Sequence, residues 1–320
     1  MDMNSPAPDS DPAAAPAASP AIGFVGLGAM GLPMARRLVR AGYALTVHDV
    51  ATAQVESLVV DGATAADSAR SAAAASDVVV LMLPDSPQVQ EATGGEDGVL
   101  AGLRPGTLVI DMSTISPAVT REVAANVAAA GGRFVDAPVG RTSRHAAEGD
   151  LLIMVGGADQ DVDAAWPILQ NFGTDIIRCG PVGSGETMKL VNNLLTATIV
   201  AANAEALVLG VASGLELQTV LGVLRMTAAS NTHLKNTYAE KALRRDFSPG
   251  FATRLAVKDL RLVMSLAIDQ QLPVGVGAAA LQLFSTACSQ GHALDDYTSV
   301  ITVLESLAGV QLEERAEVPA

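Results

Sequence analysis

Residues 21–49 read AIGFVGLGAMGLPMARRLVRAGYALTVHD, and this stretch decides the fold. Residues 21–25 form a strand-length apolar run that passes directly into Gly26-Leu27-Gly28-Ala29-Met30-Gly31. Residues 30–41 then read as a helix, and residues 44–48 read as a second strand ending at Asp49. Strand, glycine turn, helix and strand make a βαβ unit, and the turn matches G-x-G-x-x-G. Gly26 permits a tight turn, Gly28 lets backbone N–H groups approach a pyrophosphate, and Gly31 lets the helix pack close to the strand. The helix N-terminus adds partial positive charge for the phosphates. Asp49 lies near the spacing of about 20 residues at which a carboxylate accepts bonds from the adenosine ribose. No Arg or Lys follows in residues 50–53 to neutralise a 2′-phosphate, so NAD(H) is expected over NADP(H). The plainer alternative for Asp49 is a cap on the next helix.

Outward from this unit the pattern repeats. Residues 77–83, 107–111, 133–137 and 151–155 are further strand-length apolar runs, with a helix-like stretch at 116–130 among those between them. Strands alternating with helices predict a Rossmann-type, doubly wound parallel sheet over residues 21–182. Beyond Gly183-Ser184-Gly185 only helices are predicted, at 186–213, 218–226, 253–270, 274–288 and 295–307. The fold class expected is therefore α/β, with an all-α domain over residues 183–312. Residues 1–20, rich in Pro, Ala, Ser and Asp, and residues 313–320 read as tails, the first of them disordered.

Composition narrows the function. The chain has 320 residues with 20 Lys+Arg against 34 Asp+Glu, a formal charge of −14. Nucleic-acid binding needs clustered cations and is not expected. Cys179 and Cys288 are too few for a disulfide framework or a thiolate zinc site, and no metal is expected. The apolar stretch 194–215 contains Asn203 and Glu205 and reads as a buried helix rather than a membrane span. Residues 1–20 have neither the basic start nor the apolar run of a secretory leader, and a cytoplasmic location is expected. His48, His233 and His292 are read as exposed or structurally bonded, His233 in a polar, loop-like stretch.

Lys189, Asn192, Asn193 and Thr196 fall at i, i+3, i+4 and i+7 on the predicted first helix of the second domain, hence on one face. By itself this stripe is as readily a solvated face as a site. Four motifs in order carry a resemblance that decides between the two. They are Phe24–Ala35, Asp136-Ala137-Pro138-Val139, Gly183-x-Gly185 with Lys189 and Asn192-Asn193, and Phe251 with Lys258-Asp259-Leu260. Together they resemble the β-hydroxyacid dehydrogenase family, the relatives of 3-hydroxyisobutyrate dehydrogenase, over about residues 21–310. The resemblance implies that Lys189 protonates the carbonyl oxygen during reduction and, when neutral, takes the alcohol proton in reverse. A free lysine titrates near 10.4, so its pKa must be lowered, a role the resemblance gives to Lys258. It further implies that Asn192 and Asn193 hold substrate. Leu27, Ala29, Met30, Leu83, Pro84, Thr114 and Lys258 would border the cofactor.

Two departures stand out. Arg37 replaces the family's usual Asn, read as a helix-packing change. The turn after residues 136–139 reads Gly140-Arg141-Thr142-Ser143 where most relatives have Ser-Gly-Gly. A guanidinium there suits an oxyanion, and the turn resembles the sulfolactaldehyde reductase branch of the family. Arg141, Thr142, Ser143 and Thr196 are thus expected to face the substrate's acid group, while Arg144 and His145 depart from that branch and would suit a different anion. The alternative is that Arg141 only holds the turn. The leading expectation is an NAD-dependent reductase of a short anionic aldehyde, 3-sulfolactaldehyde foremost. Succinic semialdehyde, methylmalonate semialdehyde and tartronate semialdehyde are the alternatives. Imine reduction and a silent dehydrogenase-fold interaction protein are the competing classes. The long apolar first helix of a short second domain predicts a homodimer or homotetramer.

Overall fold

The computed structural model describes residues 19–312, so residues 313–320 and all but the end of 1–20 lie outside the described residues. The chain forms two compact units that divide between Lys189 and Leu190.

The first unit is a nine-stranded sheet. Its strands are β1 (Ile22–Val25), β2 (Leu45–His48), β3 (Thr64–Ala65), β4 (Val78–Leu81), β5 (Leu108–Asp111), β6 (Arg133–Asp136), β7 (Val139–Gly140), β8 (Leu152–Gly157) and β9 (Asp175–Gly180). The order is β3-β2-β1-β4-β5-β6-β8-β7, with β9 on the other edge of β8. The strands from β3 to β6 are parallel, the doubly wound arrangement expected. The sheet is not parallel throughout, because β8 runs antiparallel to β6 and β7. The helices are α1 (Gly31–Arg40), α2 (Thr52–Val60), α3 (Ala69–Ala74), α4 (Ser86–Thr93), α5 (Val99–Gly102), α6 (Pro117–Ala129), α7 (Ser143–Glu148) and α8 (Asp159–Leu169).

Strand alternation explains the two cores. Ile22, Phe24, Val78, Val80, Leu108 and Ile110 pack on one face of the sheet, while Val25, Val79, Leu81 and Val109 pack on the other. A strand buried on both faces reads as an unbroken apolar run, which is why β1, β4 and β5 were legible. α6 begins where Ser116 accepts a bond from Ala118 N–H and Pro117 supplies the first turn. Arg37 on α1 is buried, donating from Nε to Asn171 O at 2.5 Å and from Nη1 to Ala147 O at 3.1 Å. It is a packing residue, as expected, and Gly149 leaves room for its guanidinium.

The second unit is helical. α9 (Ser184–Ala212) starts in the first unit and is followed by α10 (Leu217–Met226), α11 (Thr253–Asp269), α12 (Gly275–Ala287) and α13 (Val300–Ala308). One expectation is corrected here: His233 lies in a helical run, a π turn at His233–Thr237 continuing into Tyr238–Glu240, not a loop. Leu234 and Tyr238 from this run are buried, and Tyr238 donates to Val200 O at 2.7 Å. α9 is long and apolar enough to cross a membrane by length and composition. Its residues Ala197, Val200, Ala201, Ala204, Leu207 and Val208 recur at helical spacing and build the second unit's core.

Candidate active site

At the C-terminal ends of β1, β4 and β5 the first unit gathers the expected dinucleotide residues. Gly26 has φ +98°, and a Cβ there would stand 2.3 Å from Met82 O. A Cβ on Gly31 would stand 2.0 Å from Gly26 O, so this glycine is required for α1 to meet the turn. Gly28 differs: a Cβ there would meet nothing within 4 Å. The protein itself does not demand a glycine at 28, which fits a turn shaped for close approach by a pyrophosphate. Gly28 and Ala29 are exposed and Met30 is half-buried. The first turn of α1 has neither a side-chain cap nor an acid, so no side chain of the protein neutralises its positive end, although Leu32 N–H already donates to Gly28 O at 3.0 Å.

Asp49 follows β2 directly. It accepts from Leu27 N–H in the glycine turn and from Ala51 N–H, the latter at 2.7 Å. The capping alternative is not realised, because Ala51 is the N-cap residue of α2 and no side chain caps that helix. The same carboxylate joins the turn to the second strand. Across the strand ends, Leu83 N–H donates to Ser113 Oγ at 3.0 Å, setting Leu83 and Pro84 beside the loop that carries Thr114.

The helix that bears Lys189 begins against this sheet. Asp136, at the end of β6, accepts from Gly183 N–H at 2.7 Å and from Glu186 N–H at 3.0 Å. Burial pushes its carboxyl up to about 6, with the N–H bonds from Gly183 and Glu186 pulling the other way. In register on β5, Asp111 is also pushed up to about 6, by burial first and by Asp136 in part. Lys189 is itself buried, at 9% exposure.

In the second unit, Asn192 donates to Asn193 Oδ1 at 3.0 Å, and Asn193 donates to Asp259 Oδ2 at 2.5 Å. The other oxygen of Asp259 pairs with Lys258 Nζ at 3.0 Å. Asp259 therefore links the asparagine of α9 to the lysine of α11 while almost fully buried. Residue-by-residue reading missed it as a site residue, although its place in Lys258-Asp259-Leu260 was a signal. Thr196 lies half-buried one turn beyond Asn193.

The turn at residues 140–143 does not offer the open guanidinium that its sequence suggested. Arg141 sits at φ +75°, a region that favours glycine. Its Nη1 donates to Asp150 O at 2.6 Å and pairs with the Asp150 carboxylate, and its Nη2 pairs with Asp175. Two carboxylates of its own unit therefore engage the fork, the arrangement of the turn-holding alternative. Thr142 Oγ1 lies 2.8 Å from His145 Nδ1 at the start of α7, where Ser143 opens the helix, and Arg144 pairs with Glu148. Removing the side chain should separate strain from pairing. Arg141→Ala loses the exposed pairs, each worth about 0.2–1 kcal/mol, and keeps the unfavourable φ. Arg141→Gly also relieves about 1–2 kcal/mol of strain, so it is expected to melt higher than Arg141→Ala in calorimetry.

A glycine turn shaped for a dinucleotide, and a helix carrying Lys, Asn and Thr at one-face spacing, are the parts an NAD-dependent oxidoreductase acting on a CH–OH group would use. Comparison with known proteins agrees. Residues 21–180 match the model of the NAD-binding domain of 6-phosphogluconate dehydrogenase, and residues 183–304 match that described as NAD-binding of NADP-dependent 3-hydroxyisobutyrate dehydrogenase. The chain is 38% identical to 3-sulfolactaldehyde reductase of Escherichia coli, covering 91% of this chain and 97% of that protein. It is also 38% identical to the NAD-dependent L-serine dehydrogenase of Pseudomonas aeruginosa, covering 90% and 99%. The solved 3-hydroxyisobutyrate dehydrogenase of Mycobacterium tuberculosis with L-serine superposes with TM-score 0.83 at 34% identity, covering 89% and 99%. The chain belongs to the β-hydroxyacid dehydrogenase family.

Proposed function

We propose that the protein interconverts a short aldehyde bearing an acid group with the corresponding primary alcohol, and that 3-sulfolactaldehyde is its substrate. The observation that carries the substrate class is the 38% identity with 3-sulfolactaldehyde reductase across 91% of the chain. L-serine oxidation is the second reading, favoured by equal identity with the L-serine dehydrogenase. These compounds share a terminal HO–CH2 or aldehyde carbon with an anionic group one or two carbons away.

In the reduction, the Lys189 ammonium gives its proton to the carbonyl oxygen, and in oxidation the neutral amine takes it back. Asn193, held by Asp259, orients the substrate oxygen, and Thr196 extends the polar face toward the distal group. In the first unit, Ser143 offers its hydroxyl to an acid group, with Thr142 capping α7 through His145 and Arg141 bracing the turn. The chemistry supplied by the bound dinucleotide is hydride transfer to the carbonyl carbon. Gly26, Leu27, Gly28, Ala29, Met30 and Gly31 would hold its pyrophosphate, Asp49 its adenosine ribose, and Leu83, Pro84 and Thr114 its flanks.

The test is NADH oxidation with 3-sulfolactaldehyde, succinic semialdehyde, methylmalonate semialdehyde and tartronate semialdehyde, and NAD+ reduction with L-serine. The highest kcat/KM is expected with 3-sulfolactaldehyde, and a higher value for L-serine would replace the first reading with the second. Because Asp49 repels a 2′-phosphate, kcat/KM with NADH should exceed that with NADPH by about tenfold or more. Equal values would remove Asp49 from the ribose site. We also propose that a second copy of the chain covers Val191, Leu195 and Leu209 of α9, which are 50%, 61% and 69% exposed. Light scattering should then give the mass of a dimer or tetramer, and a monomer would exclude it.

A further inference from the structure

We propose that Asp136 is the positioning residue for Lys189: its carboxylate fixes the first turn of α9 and offsets the positive end of that helix beside the lysine. The inference rests on the reading of Lys189 as proton donor.

Several positions serve this one contact. Asp136 Oδ1 accepts from Gly183 N–H and Oδ2 accepts from Glu186 N–H, so one carboxylate satisfies two N–H groups at the helix start. Gly183 takes φ +87°, a conformation that turns the chain into the helix. A Cβ on Gly185 would stand 2.4 Å from Met154 O and 2.9 Å from Asp136 Oδ2. Gly156, paired with Asp136 across β6 and β8, would place a Cβ 2.6 Å from Asp136 Oδ1. The absence of side chains at 156 and 185 is what lets the sheet end and the helix end close on the carboxylate. Lys189 stands one turn beyond Glu186 on the same helix.

The charge matters as well as the bonds. The titratable and charged groups near Asp136 on neighbouring elements are Asp111 on β5 and Cys179 on β9, with Arg121 of α6 standing at Gly183, where a Cβ would lie 3.0 Å from its Nη1. The helix N-terminus and its N–H groups therefore favour the ionised form against burial. Losing that negative charge leaves Glu186 as the acid of the first turn and weakens the compensation of the positive helix end near the Lys189 ammonium, which lowers its pKa. Losing the bonds lets the first turn fray and displaces the lysine from the reacting oxygen.

The test uses the full chain with Asp136→Asn, which keeps the shape, and Asp136→Glu, which keeps the charge. Titration of Lys189 is read by competitive acetylation with acetic anhydride and peptide mass spectrometry, alongside NADH binding and kcat with 3-sulfolactaldehyde. In Asp136→Asn, kcat should fall about tenfold or more while the NADH Kd stays within about twofold. Lys189 should titrate lower by about half a pH unit or more in that variant, and near its wild-type value in Asp136→Glu. An unmoved Lys189 titration in Asp136→Asn overturns the proposal, as does a kcat within twofold of wild type. Failure of both variants to fold would assign Asp136 to stability alone and also overturn it. Should the wild type reduce no aldehyde, the proposed function fails by itself, and the Lys189 titration still decides the role of Asp136.

Discussion

Lys189→Ala is expected to lower aldehyde reduction by about 10³-fold, within the range that a positioned proton donor contributes. NADH binding should stay close to wild type, because the glycine turn and Asp49, proposed to hold the dinucleotide, belong to separate elements of the first unit. The effect should appear in kcat and in kcat/KM together, since the proton is transferred only in the transition state. Lys189→Arg makes the sharper comparison. It keeps a cation at the position but cannot release a proton near neutral pH. Oxidation of the alcohol, which needs a base, should therefore be lost in Lys189→Arg as fully as in Lys189→Ala. A Lys189→Ala enzyme within tenfold of wild type would show that the proton comes from elsewhere. The contacts of the neighbouring polar residues make that outcome unexpected. Asn193 is tied to Asp259 and its amide has no proton to give near neutral pH, and the Lys258 ammonium is held as a cation by the same carboxylate.

What the sequence disclosed, and what it withheld, follows from range. β1, β4 and β5 were legible because four consecutive buried residues leave a local mark. β3 and β7 have two residues each, too few to show any period. β9 runs along the sheet edge with most of its residues exposed, so its residues carry little apolar signal. The antiparallel entry of β8 depends on how the chain returns after β7, which no local pattern encodes. The same division applies to the site. Gly26, Gly28 and Gly31 announce themselves by spacing, whereas Lys189 and Asn193 stand out from a solvated face only through the family resemblance. The bond from Asp136 to Gly183 and the pairing of Arg141 with Asp175 join residues distant in sequence, and neither has a local signature. Arg141 also shows how residue type can mislead. A guanidinium suits an oxyanion substrate and a neighbouring carboxylate equally well, and here two carboxylates of the same unit engage it.

Gly28→Ala and Gly31→Ala should fail in opposite ways, and the contrast tests the cofactor site without reference to any substrate. Gly31 is constrained by the protein: its added Cβ would lie 2.0 Å from Gly26 O, a backbone atom that cannot move without moving the turn. Overpacking of this kind costs about 1–3 kcal/mol, so Gly31→Ala should melt several degrees lower and bind NADH poorly as a consequence. Gly28 has no such constraint, since the added Cβ meets nothing within 4 Å and its φ lies outside the positive range. Alanine there restricts the unfolded chain and should hold or slightly raise the melting temperature, by the equivalent of about 0.4–1 kcal/mol. Yet the methyl group would stand where the pyrophosphate must approach the backbone, and the NADH Kd should rise by about tenfold or more. A Gly28→Ala protein that melts normally and still binds NADH like wild type would place the phosphates away from this turn. The requirement for glycine at 28 would then have no physical source, because the surrounding protein supplies none.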